Sequence, residues 1–262
     1  MFVLVFIYRQ NTGGNMNSFI SWIGGKKILR KYILSQFPDE KIGRYIEVFG
    51  GAGWILFSQD KHASMEVFND INGELINLYR IVKCHPEALQ KELEWLLMSR
   101  EQFFDELNRN TRGMTDIQRA ARFFCMIKES FGSSLDSFAV SAKSIQKSVD
   151  YLKEVSNRLN RVVIENQDFE RLIKTYDRLD ALFYLDPPYY EAEKYYPDRF
   201  NPEDHNRLRK CLEDIKGKFI LSYNDCPQIR ELYEGYVILT VERNHNLSLG
   251  NRYKEILIKN YK

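Results

Sequence analysis

Short apolar runs of strand length alternate with amphipathic stretches of helical spacing along most of the chain. Residues 44–49, 63–68, 162–166, 181–185 and 218–223 are runs rich in β-branched and aromatic side chains, and each predicts a buried strand. Residues 237–241 and 255–259 predict a closing antiparallel pair around a turn at 244–251. Between the strands, residues 28–37, 74–84 and 203–214 carry a helical pattern, and a further helix is expected to begin over 54–59. The order strand, glycine turn, helix, strand over 44–68 is a βαβ unit, whose crossover is expected to be right-handed.

The pattern changes after Pro86. Leu89, Leu93, Leu96 and Leu97, then Ala120, Phe123, Phe124 and Ile127, recur at helical spacing, and strand-like runs are missing. Residues 86–160 therefore predict a helical insertion, with a loop at Gly132-Ser133-Ser134. The expected organisation is an extension over 1–15, a first part of a catalytic domain over 16–85, the insertion over 86–160, and a second part over 161–262. Residues 1–8 are apolar but too short to span a bilayer, and they lack a basic leader and a small-residue cleavage site. With a linker at 10–15, the extension is expected to be non-catalytic, an added edge strand being the alternative.

Composition narrows the class only a little. In 262 residues, 28% are charged and 44% hydrophobic, as in an ordinary globular protein. A net charge of +2 permits an anionic partner without demanding one, so a nucleic-acid binder of this composition must gather its basic residues on one face. Cys84, Cys125, Cys211 and Cys226 show no C-x-x-C spacing, so neither a metal nor a disulfide framework is expected and reduced cytosolic thiols are the default.

The chemistry gathers where strands are expected to end. Asp186-Pro187-Pro188-Tyr189 follows the apolar run 181–185, at the strand end where open α/β sheets place ligands. Asp186 can accept hydrogen bonds from an amine, the prolines stiffen the turn and have no N–H to donate, and Tyr189 offers a flat face to a planar ring. The alternative is a plain Pro-rich turn. Phe49-Gly50-Gly51-Ala52-Gly53 lets a ligand approach the backbone, although it does not match G-x-G-x-x-G. Asp70 lies 19 residues after Gly51 at the next strand end, from which a carboxylate reaches ribose hydroxyls; an Asp there can equally be an N-cap. Together the glycines and Asp70 favour an adenosine-containing ligand, and the absence of a G-K-[ST] motif disfavours a triphosphate. In Trp22-Ile23-Gly24-Gly25-Lys26, Trp22 can stack on a ligand and Lys26 can pair with its carboxylate, unless this is an ordinary surface loop. Asp168-Phe169 could accept from an adenine amino group and flank its ring, or form a turn.

In this order the motifs resemble those of the Dam-type DNA adenine-N6 methyltransferases, from about residue 17 to residue 261. The run is Trp22 to Lys26, Glu47 to Gly53, Asn69-Asp70-Ile71-Asn72 with Leu75 to Tyr79, Asp168-Phe169, Asp186 to Tyr189, and Leu221-Ser222-Tyr223-Asn224-Asp225. The resemblance implies an α/β, Rossmann-like S-adenosylmethionine-dependent methyltransferase sheet with a helical target-recognition insertion. It implies S-adenosylmethionine as donor, no metal, and transfer to N6 of an adenine flipped out of double-stranded DNA. By position, Trp22, Lys26, Phe49, Gly51, Gly53, Asp70, Asp168 and Asp186 match donor contacts. Asp186 and the carbonyl of Pro187 match the acceptors of the target amino group, and Tyr189 the ring that stacks on the base. Two such acceptors would favour a pyramidal nitrogen whose lone pair points at the methyl, so positioning would supply much of the rate. A cytoplasmic, DNA-associated location follows, and an associated restriction endonuclease or mobile element is compatible with it.

The DNA-facing side is less legible. Arg119, Arg122 and Lys128, then Ser133 and Ser134, are placed to contact phosphates or a groove, with Lys143, Lys147 and Lys153 beyond them; a solvated helix face would read the same. Residues 128–138 contain no arginine, unlike the base-reading loop of enzymes that recognise GATC, so that site is not implied. Two other functions stay open: methylation of another exocyclic amine, in RNA or cytosine, and a catalytically silent DNA-binding relative.

Overall fold

The computed structural model describes residues 16–96, 99–130, 135–139, 145–192, 200–244 and 252–262. The extension over 1–15, the loop Gly132-Ser133-Ser134, Lys143 and the turn at 245–251 lie outside them. Seven strands form one sheet in the order β3-β2-β1-β4-β5-β7-β6: β1 (Arg44–Glu47), β2 (Met65–Asn69), β3 (Val162–Glu165), β4 (Ala181–Leu185), β5 (Lys218–Asn224), β6 (Val237–Asn244) and β7 (Arg252–Lys259). The first five are parallel to one another; β7 runs antiparallel to β5 and β6. The strand order turns back between β1 and β4, which opens a crevice at their carboxyl ends.

Period-two alternation sends each strand's side chains to two cores. Tyr45, Phe68, Leu182, Tyr184, Ile220 and Leu257 enter one, while Ile46, Val67, Phe183, Leu185, Leu221 and Ile258 enter the other. The second core is covered by α8 (Phe169–Tyr176), α9 (Pro202–Cys211) and α10 (Pro227–Leu232), through Leu172, Leu208 and Ile229. Sequence reading foresaw only α9. The signals for the other two were the Asp168 side chain that caps α8 and Pro227 in the first turn of α10.

The first core is covered by α1 (Arg30–Ser35), α2 (Gly73–Cys84) and the helices of the expected insertion. These are α3 (Pro86–Leu93), α4 (Arg100–Asn108), α5 (Asp116–Glu129), α6 (Gln146–Asp150) and α7 (Leu152–Leu159). Among the described residues this stretch holds no strand, only an isolated bridge between Ser130 and Phe138. It shares its core with the sheet: Phe123, Phe124, Val155 and Leu159 join Leu75, Leu78 and Tyr79 of α2 in one cluster. The helix expected over 54–59 is only a 3-10 turn at Leu56–Ser58, whose leading N–H is taken by the buried Glu47 carboxylate.

Candidate active site

A cavity of about 770 Å³ lies along the carboxyl ends of the strands, within the range that holds small ligands. Its first wall begins with the turn after β1. Gly50 N–H donates to Asn69 O at 2.7 Å, and Gly53 N–H to Gly50 O at 2.8 Å. A Cβ at Gly50 would lie 2.3 Å from the Phe68 ring, so only glycine fits. Gly51 has φ +50°, a left-handed conformation that glycine adopts at little cost. Tyr79, stacked on Phe68, donates its hydroxyl to Gly51 O at 3.1 Å. Helix α2 thus holds the turn from behind.

Asp70 accepts from Gly51 N–H at 2.9 Å and from Asn72 N–H at 2.8 Å. The N-cap of α2 is Asn72, whose side chain accepts from Glu74 and Leu75 N–H. Asp70 is left at the cavity rim, tied to the glycine turn. Asn69, fully buried, donates to Val48 O and Gln167 O and accepts from Gln167 N–H, which ties the ends of β1, β2 and β3 together. Phe49, Phe169 and Phe200 form an aromatic corner with ring centroids about 6 Å apart. Asp168 caps α8 through Glu170 N–H and is bound by Arg207 at 2.7 Å, while the Arg207 guanidinium lies 4.1 Å from the Phe169 ring centre. A carboxylate offers about four lone-pair directions, and with three of them taken by Glu170 N–H and Arg207, Asp168 keeps room for one further donor.

The opposite wall is charged and buried. Lys26 Nζ lies 2.8 Å from Asp186 Oδ1 and 3.8 Å from Glu255 Oε2, and donates to Gly24 O at 2.9 Å. It also sits 4.7 Å from the centre of the Tyr189 ring. Tyr189 donates its hydroxyl to Glu255 Oε2 at 2.7 Å. Burial pushes the Asp186 carboxyl up to about 6, against the pull of Lys26 and with the help of Glu255. Burial pushes Glu47 up further, to about 8, although Tyr45 O–H and Leu56 N–H both donate to it. Beyond the turn, Asn224 at the end of β5 accepts from Tyr190 N–H at 3.0 Å and donates back to Tyr190 O at 3.3 Å, clamping the chain after Tyr189.

Trp22, Lys26, Phe49, Gly51, Gly53, Asp70, Asp168, Asp186, Pro187 and Tyr189 all line this one cavity, although they come from loops far apart in the chain. Glu255, Asn224, Arg207 and Tyr79 were not foreseen as site residues. Tyr79 and Asn224 fell within matched motifs without a role assigned to them, and Glu255 showed only as an acidic residue opening the apolar run 255–259.

The expected DNA-contacting cations each have a partner within the chain. Arg119 pairs with Glu74 and with Asp116. Arg122 donates to Glu106 O at 2.7 Å and is largely buried. Lys128 donates to Phe19 O at 2.7 Å and lies over the Phe124 ring. The physical reason is local: α5 packs against α2 and α4, whose Glu74 and Glu106 meet Arg119 and Arg122, and the segment before α1 brings Phe19 O to Lys128. Ser133 and Ser134 lie outside the described residues. Among the described residues no cluster of His, Cys, Asp and Glu could hold a metal ion, and no helix is long and apolar enough to cross a membrane.

A glycine turn, a carboxylate at the next strand end and an Asp-Pro-Pro-Tyr turn thus face one crevice. Residues 22–247 match the D12 class N6 adenine-specific DNA methyltransferases, and the chain belongs to that family. It is 32% identical to the type II methyltransferase M1.LlaDCHI of Lactococcus lactis subsp. cremoris, over 94% of this chain and 96% of that one. It is 30% identical to M.MjaIII of Methanocaldococcus jannaschii, over 93% and 98% respectively. It is 24% identical to the DNA adenine methylase of Haemophilus influenzae, over 92% and 91%. The protein is thus an enzyme of the adenine-specific class of DNA methyltransferases.

Proposed function

We propose that the donor is S-adenosylmethionine, seated along the ends of β1, β2 and β3, and that an adenine flipped from double-stranded DNA meets it at Asp186. The residues fit that group. Asp70 offers carboxylate oxygens for ribose hydroxyls, and Phe49 and Phe169, packed on each other, give an apolar wall for a purine, with Asp168 beside it. Gly51 and Gly53 keep the adjoining wall free of side chains, Trp22 covers it, and Lys26 is the cation for a carboxylate. When bound, the donor supplies a methyl group made electrophilic by a positively charged sulfur.

The chain's own task is positioning. Adenine N6 is a poor nucleophile because its lone pair is delocalised into the ring. Asp186 and the Pro187 carbonyl accept its two N–H groups and favour a pyramidal nitrogen, while Tyr189 stacks on the base. Flipping costs a few kcal/mol, and stacking on one aromatic returns roughly 1–3 kcal/mol. The observation that carries this reading is the meeting of Lys26, Asp186 and Tyr189 in the same cavity as the glycine turn and Asp70.

The test is transfer from labelled S-adenosylmethionine to duplex DNA lacking adenine methylation, with the product mapped by single-molecule sequencing. N6-methyladenine at one recurrent motif is the expected result and also supplies the recognition site. Label appearing only in RNA or in cytosine would overturn the choice of substrate. Two of the relatives are type II methyltransferases, which supports a role beside a restriction endonuclease; neighbouring genes would carry it. The enzyme then acts in the cytoplasm, where the DNA lies.

A further inference from the structure

Glu255 takes no part in the reading above, yet it is 3% exposed and faces the cavity from β7, opposite Asn224 of β5. A buried carboxylate is costly unless other groups hold it. Its Oε2 accepts from the Tyr189 hydroxyl at 2.7 Å and lies 3.8 Å from Lys26 Nζ. Lys26 is 2.8 Å from Asp186 Oδ1, so Asp186 and Glu255 flank one ammonium group.

Resting on the proposed function, we infer that Glu255 is a positioning residue for methyl transfer, anchoring Tyr189 by its hydroxyl and holding Lys26 when Asp186 turns to the base. Asp186 cannot offer Oδ1 fully to an amino group while Lys26 occupies it. Lys26 is buried and cannot leave for water, so it needs a second anion within reach. Glu255, 3.8 Å away, is the anion the chain itself supplies, beside any donor carboxylate that Lys26 also meets. The same oxygen holds the far edge of the Tyr189 ring, which fixes the plane on which the base stacks. One side chain thereby couples release of Asp186 to presentation of the aromatic face.

The test compares wild type, Glu255→Gln, Glu255→Ala, Tyr189→Phe and the Tyr189→Phe/Glu255→Ala double variant. Single-turnover transfer is measured at saturating S-adenosylmethionine, and base stacking is followed by fluorescence of DNA carrying 2-aminopurine at the target. Glu255→Ala is expected to slow the transfer step about 10–100-fold, the size of a lost bond to a charged group, and to change the fluorescence. Glu255→Gln keeps an acceptor for Tyr189 but not the charge, so it should recover the fluorescence while the rate stays low. The double variant should match Glu255→Ala in fluorescence, because both changes break one bond. A folded Glu255→Gln protein with the wild-type rate would overturn the role in holding Lys26. Additive fluorescence effects in the double variant would overturn the anchoring of Tyr189. Wild-type protein that transfers nothing to adenine would remove the underlying reading, and this role with it.

Discussion

At the ends of β1 and β2 the cavity wall is main chain and aromatic rings, whereas at the ends of β4 and β7 it is buried charge. The first wall is held from behind: Tyr79 and Phe68 back the glycine turn, and Asp70 bonds to Gly51 N–H. The second wall is held by its own members, since Lys26, Asp186, Glu255 and Tyr189 are one another's partners. A change in the first wall should therefore act on binding and stay local. A change in the second should act on rate and spread to its neighbours, because removing one of several coupled charges leaves the others unbalanced.

The largest expected effect separates the walls most sharply. Asp186→Ala should lower the single-turnover rate by about 10²–10³-fold or more, by analogy with removal of one transition-state hydrogen-bonding group. Donor affinity, read by calorimetry, should change far less. Equal losses in rate and donor affinity would show that the two walls are one unit. The next effect lies on the other side. Asp70→Ala should weaken donor binding by about 10–100-fold, the size of a hydrogen bond to a charged group. Its rate at saturating donor should stay near wild type, and a lost rate with unchanged donor affinity would break the comparison.

The two walls were unequally legible in the sequence. The donor wall announces itself because its requirements are local: glycines at a strand end and an acid one strand later are readable as spacing. Asp186 to Tyr189 were readable for the same reason. Lys26 was placed by its motif, but its pairing with Asp186 and Glu255 was not, since it joins residues 160 and 229 positions away. Glu255 appeared only as the start of an apolar strand, and the antiparallel register of β7 on β5 is what aims it at the cavity. The partners of the α5 cations were hidden for a related reason. Arg119 and Arg122 are spaced like an exposed basic face, but α2 and α4 bring Glu74 and Glu106 against them, which no reading of α5 alone reveals. The sheet, by contrast, was largely legible, because alternation to two cores leaves strand-length apolar runs.

Buried charge beside the transfer wall also has a stability signature. Glu47 is a carboxyl raised from 4.5 to about 8, so the folded state holds its proton over that span and stability falls as pH rises through it. His62, depressed from 6.5 to about 4 by burial, works in the opposite sense, adding stability as pH rises from about 4 to 6.5. Between about pH 4.5 and 6.5 the two offset each other, while Asp186, raised from 3.8 to about 6, adds a fall in stability that is complete near pH 6. Above pH 6.5 Glu47 acts alone, apart from a contribution of the same sign from Glu129, which burial raises to about 7. Denaturant unfolding should therefore show stability falling between pH 6.5 and 8, by at most about 1.4 kcal/mol per pH unit for one proton. Glu47→Gln, which keeps an acceptor for Tyr45 and Leu56, should flatten most of that slope. An unchanged slope would mean that Glu47 is already ionised and that the charged wall costs the fold little.

The smallest effect is a displacement of the rate profile. Asp186 must be ionised to accept from the base, and in the free enzyme burial places its carboxyl at about 6, so kcat/KM for DNA should rise with pH through that value. Lys26 lowers this midpoint, and the negative charge of Glu255 raises it. Glu255→Gln removes the raising charge and leaves Lys26 wholly to Asp186, and both changes have the same sign. The rise in kcat/KM should move to lower pH, while Asp70→Ala, acting through the other wall, should leave its midpoint in place. A midpoint that moved equally in both variants would mean that the profile reports donor binding rather than Asp186, and the division between a binding wall and a rate wall would fail where it makes its finest claim.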